Sequence, residues 1–206
     1  MKWRNSEFGE LGGQLVLPLF EGIDKAPNNA LAGLSRSQRN LVREAIASDE
    51  FEGKKGKRMT LWTPGCNVIL VGMGEKSDLG HKRARNTGAR LISSMSKKKG
   101  LDITVRFTSG WSGERMIDFA EGMMLRDYEF LEHQEIDKEH ITDPWNVDFQ
   151  ASSRHQMTLE DGLTRVHAVV GGVHVARDLG NEPANVLYPM EYAHRAIEWA
   201  KGKSNI

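Results

Sequence analysis

Seven histidines, one cysteine and a Gly-x-Gly step are the residues of this 206-residue chain whose types could do chemistry. The step is Gly72-x-Gly74, which follows an aliphatic run and precedes a helical pattern. Backbone amides presented there at a helix N-terminus could cradle a phosphate, so Gly72 and Gly74 are a candidate ligand loop. A dinucleotide fingerprint needs a third glycine where Ser77 stands, and the spacing therefore favours a tight strand-to-helix turn. No Walker-type phosphate loop occurs.

Among the histidines the obvious pair is His167 and His174. On a helix, seven residues separate them by about 10 Å, too far for both to ligate one ion. They share a face and not a metal. His133 and His140 have the same spacing inside an acidic stretch, and no His-Glu-x-x-His is present. Surface histidines are the expectation, with an adventitious ion near residues 132–139 as the minor alternative. Cys66 lies in a Pro-Gly-Cys-Asn turn, cannot form an internal disulfide or a cysteine zinc cluster, and reads as a small packed residue. A Gly-x-Ser-x-Gly elbow is absent. Lys54, Lys55, Lys57 and Arg58 form one basic cluster and Lys97, Lys98 and Lys99 a second; they could touch phosphates only as neighbours in space.

These residues need a scaffold, and its pattern is strand alternating with helix. Residues 14–20 are apolar with Pro18 inside, which predicts an edge strand. Ser35 and Gln38 have capping-box spacing, and Leu41, Val42, Ala45 and Ile46 share the face of a helix over 36–48. Residues 53–58 read as a solvated turn into a strand near Met59. Val68, Ile69, Leu70 and Val71 form a strand buried on both faces. A helix is predicted over 78–99, stopped by Gly100, and a strand follows in which Leu101, Ile103, Val105 and Phe107 alternate with polar residues. Ser112 caps a helix striped by Met116, Ile117, Ala120, Met123 and Met124, whose methionines read as core filling. Between residues 132 and 143 five acids face one lysine, a surface connection to a strand over 145–149. Thr158 and Asp161 would open a helix of roughly twenty residues carrying Leu163, Val166, Val170 and Val173. A short helix is expected over 190–201. This order gives an α/β layer architecture with a largely parallel core.

Composition bounds the function. Twenty-eight basic residues balance 28 acidic ones, which argues against a chain-wide polyanion binder and hence against nucleic acid as a partner. At 39% apolar and 27% charged the chain is a globular one. It has no apolar run long enough for a membrane helix and no signal-peptide core near Met1, so a cytoplasmic setting is expected, with no membrane partner.

A resemblance adds what spacing alone does not. Residues 175–189, Val-Ala-Arg-Asp-Leu-Gly-Asn-Glu-Pro-Ala-Asn-Val-Leu-Tyr-Pro, resemble the entrance to the catalytic domain of the leucyl aminopeptidase (cytosol aminopeptidase) family through Arg177, Asp178, Asn181, Pro183, Asn185 and Pro189. Residues 68–74, 85–92 and 119–130 look like that family's N-terminal domain in the same order. Gly180 and Tyr188 depart from the pattern, and residues 132–154 match poorly.

The resemblance implies a three-layer α/β/α macro-like domain with a mixed, largely parallel sheet over residues 1–155. A long connector helix would follow over 156–180, and the start of the catalytic domain over 181–206. It also implies a parent that releases N-terminal amino acids from peptides with two divalent ions, zinc, manganese or magnesium, held by a lysine and several carboxylates, and that assembles as a hexamer. The motifs bearing those ligands, Asn-Thr-Asp-Ala-Glu-Gly-Arg and Asp-Thr-Gly-Gly, are absent from residues 1–206. The expectation is a non-catalytic domain that ends before them, holds no cofactor, is inactive alone, and serves assembly and active-site support beside a missing C-terminal catalytic domain. Two alternatives stand against it: a free-standing macro-like module binding a nucleotide or ADP-ribose, and nucleic-acid contact by the assembled oligomer.

Overall fold

The computed structural model describes residues 1–48, 50–95, 101–133 and 144–202. Among these, six strands form one sheet: β1 (Lys2–Ser6), β2 (Gln14–Leu19), β3 (Arg58–Leu61), β4 (Asn67–Gly72), β5 (Asp102–Arg106) and β6 (Asn146–Gln150). Their spatial order is β1-β6-β5-β2-β4-β3. Every neighbouring pair is parallel except β3, which runs antiparallel to β4 at the edge. The helices are α1 (Arg36–Ala47), α2 (His81–Met95), α3 (Gly113–Arg126), α4 (Ser153–Asn181) and α5 (Pro189–Ala200).

Because side chains alternate along a strand, each strand feeds two cores. Leu15, Leu17 and Leu19 of β2 join Val68 and Leu70 of β4 beneath α1. Val16 turns the other way, toward Ile69, Val105, Val147 and Phe149 under α2, α3 and the first half of α4. The result is the expected α/β/α sandwich with a mixed, mostly parallel sheet. Methionines 116, 123 and 124 are core, and Cys66 is buried, its thiol pushed up by that burial.

Helix α1 carries the full capping box, Gln38 N–H donating to Ser35 Oγ and Ser35 N–H to Gln38 Oε1. Three expectations change. The strand carrying Pro18 lies at the centre of the sheet and not at its edge. Pairing with β5 stops at Val16, so the missing donor of Pro18 falls beyond that ladder, where its carbonyl accepts Trp111 Nε1–H at 3.2 Å. Helix α2 starts at His81 because residues 76–78 form a 3-10 turn; Gly100, expected to stop it, lies outside the described residues. Helix α4 begins at Ser153, ahead of Thr158, since Gln156 fastens its first turn to β1 by donating to Ser6 O at 2.6 Å and accepting from Asn5 Nδ2 at 2.9 Å. Sequence reading also missed β1, whose polar Lys-Trp-Arg-Asn-Ser run pairs with β6.

Helices α2 and α3 cross at glycine. A Cβ on Gly88 would lie 2.0 Å from Phe119 O, and one on Gly122 would lie 1.9 Å from Arg85 O. Both contacts are with backbone, which cannot swing aside. Gly122→Ala is therefore expected to destabilise the chain by about 1–3 kcal/mol, a fall of roughly 3–10 °C in Tm for this size. Gly171→Ala, on an open stretch of α4 with nothing within 4 Å, serves as the contrast. It is expected to be neutral or to stabilise by up to about 1 kcal/mol through helix propensity. Thermal melts of the two variants check the pair; equal melting temperatures would remove the close-approach explanation.

Candidate functional site

The residues that carry the resemblance gather where α4 ends and α5 begins. Tyr128, just past α3, is the clamp: the Arg177 guanidinium lies 3.8 Å from its ring centroid, and Asn181 Nδ2 donates to its hydroxyl at 3.0 Å. Arg177 also donates to Leu125 O at 3.3 Å. Desolvation first, then a hydrogen bond to Asp178, pushes the Tyr128 phenol up, against the Asn181 contact. Arg177, Asp178 and Asn181 thus share one partner just past the end of α3.

Pro183 closes the next turn, its carbonyl accepting from Val186 N–H and Leu187 N–H, both at 2.9 Å. Pro189 opens α5 at a position that needs no donor, and Asn185 is exposed in the loop between. Glu182 ties the helices together. Its side chain is 2% exposed, and it accepts Arg195 NH1 at 2.9 Å and His133 Nε2 at 2.7 Å. Arg195 Nε in turn reaches Glu191 at 2.9 Å. The Arg195 and His133 hydrogen bonds hold the Glu182 carboxyl below its ordinary range, and Glu191 and Glu182 raise Arg195. Sequence reasoning missed Tyr128, Glu182 and Arg195 as a unit; the one local signal was the i,i+4 spacing of Glu191 and Arg195.

Gly72 and Gly74 lie elsewhere, under the loop over residues 53–57. Gly72 N–H donates to Lys57 O at 2.8 Å and Gly74 N–H to Gly53 O at 2.9 Å. A Cβ on Gly72 would fall 2.0 Å from Lys54 O, and Gly74 has φ of 73°. Both amides are engaged by this chain's own carbonyls, and the glycines let a basic loop close onto the sheet.

In open α/β sheets, ligands bind beyond the carboxyl ends of the strands where the strand order reverses, here around β2. That place is filled from within. Trp111, 2% exposed, packs against Phe107 and Phe119 with ring centroids 4.9 and 5.8 Å away. On the other face sits the wholly buried Arg106.

Histidines are dispersed. His81 Nδ1 lies 2.8 Å from Asp118, His167 is beside Trp3, and His174 is against Tyr128, where burial holds its imidazole below the ordinary range. His140 lies outside the described residues, as do Lys97, Lys98 and Lys99. Among the described residues one group, Glu132, His133 and Glu182, has ligand atoms within 4.8 Å of one another. Its donor set lacks a lysine and has two carboxylates, one of them already neutralised by Arg195, so it does not fit a pair of divalent ions held by a lysine and several carboxylates.

Comparison with known proteins gives a consistent result. The family model described as "Cytosol aminopeptidase family, N-terminal domain" matches residues 16–135, more than half of the chain. A probable cytosol aminopeptidase of Methylorubrum populi is 31% identical over 207 residues, covering 91% of this chain and 38% of the relative. One from Rhodopseudomonas palustris is 27% identical over 168 residues, covering 79% and 34%. The chain therefore spans little more than a third of the length of these relatives. A tomato leucine aminopeptidase mutant has the same fold with a TM-score of 0.72 at 22% identity, over 97% of this chain and 42% of that one. The bottromycin maturation enzyme BotP in complex with Mn superposes with a TM-score of 0.60 at 19% identity, over 91% and 36%.

Glu182 sets an acid limit on the α4–α5 junction. A depressed carboxyl contributes stability that is fully present above its unfolded value and is lost as pH falls through the folded one. Hydrogen exchange of amides 190–200 is expected to accelerate as pH drops below the ordinary carboxylate range, after correction for intrinsic rates, while amides 68–72 stay protected. Glu182→Gln should produce the same loosening at neutral pH, and unchanged exchange in that variant would show that the pair does not hold α5.

Proposed function

The chain belongs to the cytosol aminopeptidase family, as its N-terminal domain, and on that premise we propose that it serves assembly and active-site support for a catalytic domain carried by polypeptide beyond these residues. The boundaries proposed for it are residues 1–155 for the α/β/α domain, 156–180 for the connector and 181–206 for the start of the catalytic domain.

The observation that carries this reading is the uncovered apolar surface of α4 and α5. Leu159, Leu163, Val166 and Val170 are buried as one stripe, and beyond Val170 no α4 residue is. Val169, Val173 and Val175 stay exposed, and α5 buries none of its residues. Met190 and Ile197, two turns apart on α5, are 77% and 60% exposed. Apolar side chains left uncovered in this number on two successive helices are the kind of surface that interaction sites present. Its proposed cover is the remainder of the parent chain and neighbouring subunits of a hexamer.

The parent's proposed reaction is release of N-terminal amino acids from peptides with two divalent ions, zinc, manganese or magnesium, which polarise the scissile carbonyl and activate water. No described group here fits that pair, so no step is assigned to a residue of this chain. Among the described residues no helix is long and apolar enough to cross a membrane; a cytoplasmic setting is part of the proposal. The filled crevice around Trp111 and Arg106 and the engaged amides of Gly72 and Gly74 favour this reading over a nucleotide or ADP-ribose module.

The isolated chain is expected to self-associate in multi-angle light scattering, with Met190→Glu/Ile197→Glu shifting it toward monomer. It should give no turnover of leucine anilide with added manganese and no calorimetric heat with ADP-ribose. A monomer at high concentration would count against the covered face, turnover by contaminant-free chain would overturn the division of labour, and saturable ADP-ribose binding would restore the module.

A further inference from the structure

An open cleft of about 580 Å³ separates β3 and the loop before it from the exposed face of α2. Six of its 14 lining residues are Lys or Arg, against 28 basic residues in 206 for the whole chain. Asp78 is the single acid, and it is paired with Arg83 at 3.2 Å. Arg58 donates to Ser94 Oγ. Lys55 and Lys57 on the loop wall, and Lys82 and Arg90 on the helix wall, have no carboxylate partner among the described residues. Zero net charge thus conceals a concentrated positive site.

Both walls are fixed by backbone. The loop is pinned through the amides of Gly72 and Gly74, so the glycine pair presents Lys55 and Lys57 instead of meeting a ligand itself. Across the cleft, Lys82, Asn86, Arg90 and Ser94 recur every fourth residue and form one row along α2. The two cations of that row stand about 12 Å apart along the axis, at 1.5 Å per residue. One phosphate cannot reach both; a chain of phosphates can. A nucleic-acid strand places a charge about every 3.4 Å, whereas an extended acidic peptide turns alternate side chains away and offers one carboxylate per face only about every 6.6 Å.

We propose that this cleft binds a linear chain of phosphates, supplied as free polyphosphate or as a nucleic-acid backbone. The inference is independent of the peptidase reading and uses other elements of the fold.

The test titrates the full 206-residue chain with tripolyphosphate by calorimetry and with a labelled single-stranded oligonucleotide by anisotropy, at low salt. Saturable binding of at least one is expected, and the tighter of the two identifies the source. Lys82→Glu/Arg90→Glu should weaken binding about tenfold or more, and four phosphate contacts should give the oligonucleotide a log–log salt slope of about −3. Lys55→Gln/Lys57→Gln, on the opposite wall, should lower affinity as well if the first variant folds poorly. Arg36→Glu/Arg43→Glu on α1 should leave it within about twofold, since these exposed residues lie outside the cleft. Absence of saturable binding to both probes, equal loss in the α1 variant, or equally tight binding of polyglutamate would overturn the proposal.

Discussion

The constraint on which the sheet depends is a guanidinium with no exposure to water. Arg106 is 0% exposed, and a charge in that position is tolerable only if every donor finds an acceptor. It does so by drawing distant segments together: Gln150 Oε1 on β6 at 2.9 and 2.6 Å, Ala30 O and Ala32 O at 3.1 and 2.6 Å, and Gly9 O at 3.4 Å. Gln150 then donates onward to Asp148 and to Glu10 O. Burial lowers the Arg106 pKa to about 10, with Asp148 opposing the shift, so the group keeps its charge at neutral pH. The loop between β1 and β2, the 3-10 turn at residues 28–31 and the ends of β5 and β6 therefore have one joint solution, and its geometry leaves no room beyond the strand ends on that face.

A second constraint follows from main-chain contact. Gly88 and Gly122 bring α2 against α3 at backbone distance, which sets the layer that covers Val105, Val147 and Phe149. Gly72 does the same for the loop at residues 53–57. In both places the missing side chain acts by allowing approach. The polar face of α2 is left outward by the first contact and meets the basic loop positioned by the second, which is how one cleft acquires cations from segments nearly thirty residues apart.

What could be read from sequence and what could not separate along these lines. The capping box at Ser35, the β-branched run of β4 and the methionine stripe of α3 are local signals with local causes, and they appear where periodicity puts them. Pro18 misled because edge placement is only one way to tolerate a missing donor; a ladder that ends early is another, and it depends on the length of β5. The start of α4 and the existence of β1 depend on each other through Gln156, Asn5 and Ser6, so neither leaves a mark in its own segment. At the junction, the spacing of Arg177, Asp178 and Asn181 does not reveal that they meet Tyr128, nor that Glu182 meets Arg195, because the first partner lies just past α3 and the second in the following helix.

Helix α4 shows why this surface reads as an incomplete one. At 29 residues it is about 43 Å long, yet its buried stripe ends at Val170, little past the middle. A surface helix that ended its work there would turn polar. Instead Val173 and Val175 continue the apolar character on exposed positions, and α5 adds Met190, Tyr192 and Ile197. The far end is nevertheless held in place by Tyr128 at one side and by Glu182 with Arg195 at the other. Rigid placement of an apolar surface limits the conformational entropy lost when a partner covers it, because the order is already established in the free domain. The junction's hydrogen bonds and ion pairs thus fix the apolar side chains in place before anything covers them, which is the arrangement the proposed assembly role requires.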